Sequence, residues 1–391
     1  MRRLVTTLAL CASVATAAEA GVACGGDFRD FVARMKAEAV RQGFDRGLAD
    51  RFFSSVRQDP AVIRADRAQG IFQRPFTDFS RRLISQNRID NGRRNAQRWD
   101  AVFDRVERDY GVNRGVLLAF WAFETDYGAV QGDFNTVNAL MTLSHDCRRP
   151  DLFRPHVFSA LELYRRGDID PARTTGAWAG EIGMVQMLPG DIIENGVDGD
   201  GDGRVTLKTS APDALMSGGK MLRSLGWRPN QPWLQEIVVP GGLDWSQTGV
   251  DIWKPVADWE RMGVRARSGS LAQGLDGAII LPEGRNGPAF IAYPNFEVYF
   301  EWNRSFVYVL TAAYFATRLE GAPVLDAGAP SPALSGDEMR LLQQKLAARG
   351  HDVGGIDGIL GAMTRIAVRK EQQRLGLPAD SWPTRDLLGR L

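Results

Sequence analysis

The sequence predicts a mainly α-helical protein with a small β-rich insert and a small helical domain at its C-terminal end. Three observations carry that expectation. Apolar residues recur at helical spacing through most of the chain as far as Trp227. Between Trp233 and Pro288 this gives way to short β-favouring runs bounded by Gly and Pro. Past Gly321 to Ser335, a stretch rich in Ala, Pro and Gly that reads as a linker, helical spacing resumes.

The chain opens with Arg2 and Arg3, an apolar run from Leu4 to Ala17, and the small-x-small site Ala18-Glu19-Ala20. This is the pattern of a secretory signal peptide, residues 1–20, and it predicts a mature start near Gly21 and export to the periplasm. The run is too short for a permanent anchor, and no later segment approaches about 20 uninterrupted apolar residues, so no integral membrane segment is expected after signal cleavage. A lipid anchor is disfavoured, because Leu10 is too large for a lipobox before Cys11 and Cys24 lacks the upstream leucine. Export leaves Cys24 and Cys147 in an oxidising compartment, where they are expected to pair; two free thiols are the alternative. A net charge of +1, from 48 basic and 47 acidic residues, gives no electrostatic case for nucleic acid or an anionic membrane, and neither partner is expected.

Phe28, Phe31, Val32, Met35 and Ala39 mark a first amphipathic helix, and Leu48, Phe52, Phe53 and Val56 a second. The aromatic stretch Phe72 to Ser80 is broken by Pro75. One long helix is then expected from Arg81 to Tyr110, with Trp99, Val102, Phe103 and Val106 inward and Gly111 as its stop. Asn113 is a candidate N-cap for the stretch around which the chain is organised, Arg114 to Gly128. From Gly115 to Glu124 the only charge is the last residue, so a buried helix ends in a carboxylate beside Phe120, Trp121 and Phe123. Loss of water there penalises the ionised form and raises the carboxyl pKa, which suits a proton donor near neutral pH. A cap or ion pair at a helix end is the structural alternative for Glu124.

Helices are expected over Thr136 to Leu143 and Asp151 to Arg166, the second with an arginine-bearing polar side. Gly176 to Gly190 is small and glycine-rich, which fits close approach to a ligand or a tight helix crossing equally. Asp198, Asp200 and Asp202, followed by Gly203, form the front half of an EF-hand calcium loop. The back half fails, since Thr206 and Thr209 fall at positions 9 and 12, with Asp213 near enough to substitute by a longer path. A structural calcium and a metal-free Asp-Gly turn are both open, and no cofactor is required. Helix is expected from Asp213 to Trp227, strands at Glu236 to Val239, Gly277 to Leu281 and Ala289 to Tyr293, and helix again from Asn295 on through Leu319. Residues 336–391 carry two helical runs and a Gly-rich turn, a size near the lower limit for an independent core and better suited to binding than to catalysis.

Three histidines, His145, His156 and His351, lack metal-site spacing, and there is no Gly-x-Ser-x-Gly or phosphate-loop run. With the cysteines paired, carboxylate-based acid catalysis remains. Phe123-Glu-Thr-Asp-Tyr-Gly128, Trp178 to Pro189, the Asp-Gly repeat, Tyr293-Pro-Asn-Phe296 and Trp302-Asn303 resemble, in that order, the membrane-bound lytic transglycosylase B family. The tail resembles a three-helix peptidoglycan-binding domain through Leu342-Gln343, Gly350, Val353 to Gly358, Thr364-Arg365 and Gly376-Leu-Pro378.

The resemblance implies four regions: a signal peptide (1–20), a lysozyme-like α-rich catalytic domain (21–320), a linker (321–335) and a peptidoglycan-binding domain (336–391) that is separable from catalysis. It implies a lyase acting on peptidoglycan at the β-1,4 bond between N-acetylmuramic acid and N-acetylglucosamine, with Glu124 as acid and then base and a 1,6-anhydro product. It also implies substrate contacts from Gln186, the backbone at Gly183, Trp302, Asn303 and, more loosely, Arg154; Tyr308, one turn beyond Asn303, is expected to line the same wall. Glu181-Ile182 stands where the family has Ala-Met, Met187-Leu188 where it has Phe-Met, and Gly190 where it has Ser. Glu181 opens a rival in which water is used directly, and a catalytically silent peptidoglycan-binding scaffold is the other alternative.

Overall fold

The computed structural model describes residues 23–68 and 73–391; the expected signal peptide, its cleavage site, Cys11 and Phe72 lie outside the described residues. Four apolar clusters organise the fold, and sequence pattern decides what each packs against. The largest surrounds two helices that are apolar on every face, Arg114–Thr125 and Phe306–Leu319. A helix with no polar side has to be covered all round. Gly115 makes the approach possible: a Cβ there would meet Ala316 O at 2.9 Å. Glu320, at the end of one helix, accepts Gly115 N at 2.8 Å, so a buried helix start keeps a hydrogen-bond partner.

The second cluster joins the N-terminal helices Phe28–Arg41 and Arg46–Phe53 to Thr136–His145 and Pro150–Arg166. Asp27, Asp45 and Asn135 cap three of these helices through side-chain oxygens. Cys24 and Cys147 are joined, and Gly25 N donates to His145 O at 2.9 Å beside them.

The third cluster is the β-rich insert. Its five strands are antiparallel throughout, in the order Lys254–Pro255, Asp276–Ile280, Phe290–Ala292, Leu234–Val238, Arg265–Ala266, with Ile279 opposite Ile291 and Leu234 opposite Ala292. The fourth is the tail, three helices Gly336–Ala348, Ala362–Arg374 and Arg385–Arg390 around Leu342, Leu346, Val368 and Leu387. Ser335 and Glu338 form a capping box at its start. The mainly α expectation with insert and tail holds. Among the described residues no helix is long and apolar enough to cross a membrane.

Two expected helices are broken. Arg81 to Tyr110 belongs to three, Phe76–Leu83, Gln86–Arg98 and Asp100–Tyr110. The Ser85 hydroxyl accepts Arg88 N and starts a new helix, while Trp99, at φ −112°, ends one and begins the next. The run from Asn295 divides into Asn295–Trp302 and Phe306–Leu319. Asn303 is extended at φ −146° and its Oδ1 accepts Ser305 N at 2.9 Å, so a local side-chain bond replaces a helical one.

The Cys24–Cys147 bridge spans 123 residues of sequence. Replacing Cys147 by Ser is expected to lower the unfolding free energy by roughly 4 kcal/mol through the freed unfolded chain. Denaturant titration of the oxidised proteins checks this, and equal midpoints would show that the bridge does not constrain the chain in solution.

Candidate active site

Glu124 is the penultimate residue of its helix and is half-buried. Its Oε1 accepts two hydrogen bonds, from Trp302 Nε1 at 3.0 Å and from the Tyr308 hydroxyl at 2.5 Å. Trp302 closes helix Asn295–Trp302 and is held by stacking on Phe120, centroids 4.3 Å apart. Tyr308 sits in the first turn of Phe306–Leu319. The break at Asn303 to Ser305 therefore lets one donor from each helix converge on one oxygen. None of the described residues bonds Oε2. A carboxylic acid accepts through its carbonyl oxygen and donates through its hydroxyl, so two donors on Oε1 fix the acid proton on Oε2.

Burial pushes the Glu124 carboxyl above its ordinary range, and the Tyr308 and Trp302 donors pull it partly back by favouring the ionised form. Burial and the Glu124 charge hold the Tyr308 hydroxyl well above its usual range, so it stays a donor.

The backbone just beyond Glu124 is strained. Of the five non-glycine residues at positive φ among the described residues, two lie here, Asp126 at 50° and Tyr127 at 60°, and a third, Gln186 at 53°, lies in the glycine-rich loop. Each costs on the order of 1–2 kcal/mol. Tertiary bonds hold the first two. Arg88 pairs with Asp126 at 3.0 Å, and the Tyr127 hydroxyl donates to Arg88 O at 2.8 Å. Thr125 donates through Oγ1 to Met184 O at 2.6 Å, which fastens the end of the acid helix to the glycine-rich loop.

That loop is a tight reversal with Ile182 bridged to Met187. Gly176 has no room for a side chain, since a Cβ would lie 1.8 Å from Glu181 O. Gly183, at φ 85°, lies against Leu207, whose Cβ a side chain would meet at 2.5 Å, so its small size serves packing. Gln186 folds back, its Nε2 donating to Gly183 O at 2.8 Å. Glu181 Oε2 is buried without a partner. Burial, and then the charge of Glu124, push the Glu181 carboxyl up to about 7.

The structure thus gathers Glu124, Trp302 and Tyr308 into direct contact. Asn303 bonds its own turn, and Arg154 pairs with Glu38 of the N-terminal helix at 3.9 Å. Asp198, Asp200 and Asp202 each offer an oxygen within 4.8 Å of the others. Asp213 does not complete that set. It is fully buried, and its oxygens accept Gly199 N at 2.8 Å and Thr206 N at 2.7 Å, holding the loop from inside. Sequence reasoning missed Thr125 and the strained pair after Glu124. A lone hydroxyl ending a buried apolar run was the available signal, since such a group requires a partner.

Residues 27–317 match the family model described as the transglycosylase SLT domain, and residues 335–391 match that of a peptidoglycan binding domain. The membrane-bound lytic murein transglycosylase B of Escherichia coli strain K12 is 26% identical over 219 residues, 52% of this chain and 60% of that protein. SltB3 from Pseudomonas aeruginosa, solved with NAG-anhNAM-pentapeptide, superposes with a TM-score of 0.85 at 35% identity over 94% of this chain and 99% of its own. The Escherichia coli lytic transglycosylase Slt35, solved with calcium, shares the fold, with a TM-score of 0.66 at 22% identity over 76% of this chain and 96% of its own.

Removing the Tyr308 hydroxyl takes away a donor that favours the ionised form of Glu124, so the pKa of Glu124 rises further. In Tyr308→Phe the alkaline limb of the kcat/KM profile, where the acid loses its proton, is expected to move to higher pH. A charge-assisted hydrogen bond of this kind corresponds to a loss of roughly 10–100-fold in kcat. An unshifted limb would show that the bond does not tune Glu124.

Proposed function

Because the chain belongs to the transglycosylase SLT domain family, we propose that it is a lytic murein transglycosylase acting in the periplasm. It cleaves the β-1,4 bond between N-acetylmuramic acid and N-acetylglucosamine and leaves 1,6-anhydromuramic ends. One observation carries this reading: both donors sit on Glu124 Oε1, so Oε2 carries the proton that reaches the glycosidic oxygen.

Proton transfer from Oε2 lets the C1–O bond break, and N-acetylglucosamine leaves with its 4-hydroxyl restored. The substrate's acetamido group stabilises the cationic carbon in place of a second carboxylate. Trp302 and Tyr308 meanwhile stabilise ionised Glu124 through Oε1. The muramic C6 hydroxyl then attacks C1 and returns its proton to Oε2. No water is consumed, and an internal hydroxyl has a large effective concentration. We assign sugar contacts to Asn303, Gln186, the backbone at Gly183 and Arg154.

Peptidoglycan as partner follows from two separate matches, one on the catalytic region and one on the tail. The disulfide and the peptidoglycan-directed family fit an exported protein. Calcium would be held by Asp198, Asp200 and Asp202, although three carboxylates supply only part of the six to eight oxygens the ion takes. No step of the reaction involves it. Calorimetric titration with calcium is expected to give a Kd on the order of 10⁻⁴ to 10⁻³ M that disappears in Asp198→Asn; no heat would mean that the loop is held by its own hydrogen bonds alone.

One observation favours the rival, a muramidase that uses water: Glu181 is a second carboxyl near Glu124, raised to about 7. Mass spectrometry of murein digested by the full chain separates the two. Anhydro ends are expected, and hydrated reducing ends would give the reaction to water. Glu124→Gln is expected to lose about 10³-fold in murein solubilisation, and unchanged solubilisation would leave a silent binding protein.

A further inference from the structure

The segment expected as a linker is bound along its length. Leu325 N donates to the Tyr314 hydroxyl, Asp326 N to Glu236 Oε1 and Ala329 N to Asn286 O. The C-terminal domain beyond it is seated through two buried arginines. Arg369 forms a two-pronged ion pair with Asp251, 2.7 Å on each arm, and also donates to Thr248 O at 2.8 Å. Gly249 leaves room for that guanidinium, since a Cβ there would lie 2.0 Å from Arg369 Nη1.

Arg365 reaches further in. It is 7% exposed, donates through Nη2 to Pro282 O at 2.7 Å, and lays its guanidinium 4.3 Å from the centre of the Phe306 ring. Burial draws it down to about 9, which leaves it charged at neutral pH, as a cation–π contact requires.

Phe306 is the first residue of the helix that carries Tyr308. At about 100° per residue the two project from opposite sides of the first turn, so that turn stands between Arg365 and Glu124. No side chain caps it, and Ser305 Oγ is buried without a partner. An uncapped turn frays unless tertiary contacts hold it. The Phe306 ring also contacts Phe300, centroids 6.4 Å apart, on the helix that ends in Trp302. Both donors to Glu124 therefore lean on the ring that Arg365 covers.

We infer that the C-terminal domain is a working part of the catalytic body, with Arg365 a positioning residue that acts on Glu124 through Phe306. This rests on the lytic transglycosylase reading only for the choice of substrate. The full chain and its Arg365→Met and Arg365→Lys variants are compared on a short soluble oligosaccharide of alternating N-acetylglucosamine and N-acetylmuramic acid, and by hydrogen exchange at residues 300–309. Arg365→Met is expected to lose about tenfold in kcat with KM unchanged, the scale of a weakened hydrogen bond to a charged group. Exchange at 300–309 should quicken in parallel, and Arg365→Lys, which keeps the cation, should recover part of both. If the Met variant does not melt cooperatively, the Lys variant carries the comparison, with a loss of several-fold in kcat expected. A parent chain inactive on glycan defeats the functional reading, and exchange still decides this one. Unchanged exchange, or a rise in KM at unchanged kcat, overturns it.

Discussion

The candidate site depends on one carboxyl oxygen receiving two donors. Trp302 and Tyr308 come from different helices, and they meet on Glu124 Oε1 only because the chain leaves the helical path at Asn303. A single continuous helix would turn about 600° between residues 302 and 308, at about 100° per residue, with a rise of about 9 Å. The break at Asn303 instead lets one donor from each helix reach the same oxygen. Asn303 contributes to the site first by bonding its own turn, before any contact with a sugar.

The same economy appears at the end of the acid helix. Two consecutive residues in left-handed backbone are costly in an isolated chain. Here Arg88 answers both, pairing with Asp126 and accepting the Tyr127 hydroxyl through its carbonyl. Thr125 then fastens this strained turn to Met184. Acid and loop wall are thus one unit, fixed before a substrate arrives, and preorganisation of this kind is what makes a charge-poor site effective.

How far this was legible in the sequence follows from the range of the forces involved. The apolar spacing around Gly115 to Ala122 and Val307 to Ala316 specified two fully covered helices, and the β-branched runs at Ile237, Ile279 and Ile291 specified the insert, because both patterns are local. Glu124 was visible as the one charge in its run, Trp302 through the family resemblance, and Tyr308 by its place one turn beyond Asn303. Helix breaks were not visible at Ile84 and Asn303, where a single side-chain bond to the backbone competes with a helical pattern that continues on both sides. Nor was the use of Asp213, whose carboxylate points to backbone amides inside the loop rather than toward a metal. The tail's three helices were recognisable, but the seats of Arg365 and Arg369 were not, since each depends on a partner about 80 to 120 residues away in sequence.

Glu181 gives the arrangement its remaining logic. The donors on Oε1 favour the ionised form of Glu124, which makes it a stronger acid but a weaker base and leaves less of it protonated near neutral pH. The proposed use of one group for both tasks needs an opposing influence. Burial supplies it. Burial also raises the Glu181 carboxyl on the neighbouring loop to about 7, and the charge of Glu124 adds to that rise. Two-donor geometry fixes where on Glu124 the acid proton sits, and burial is what favours its being there.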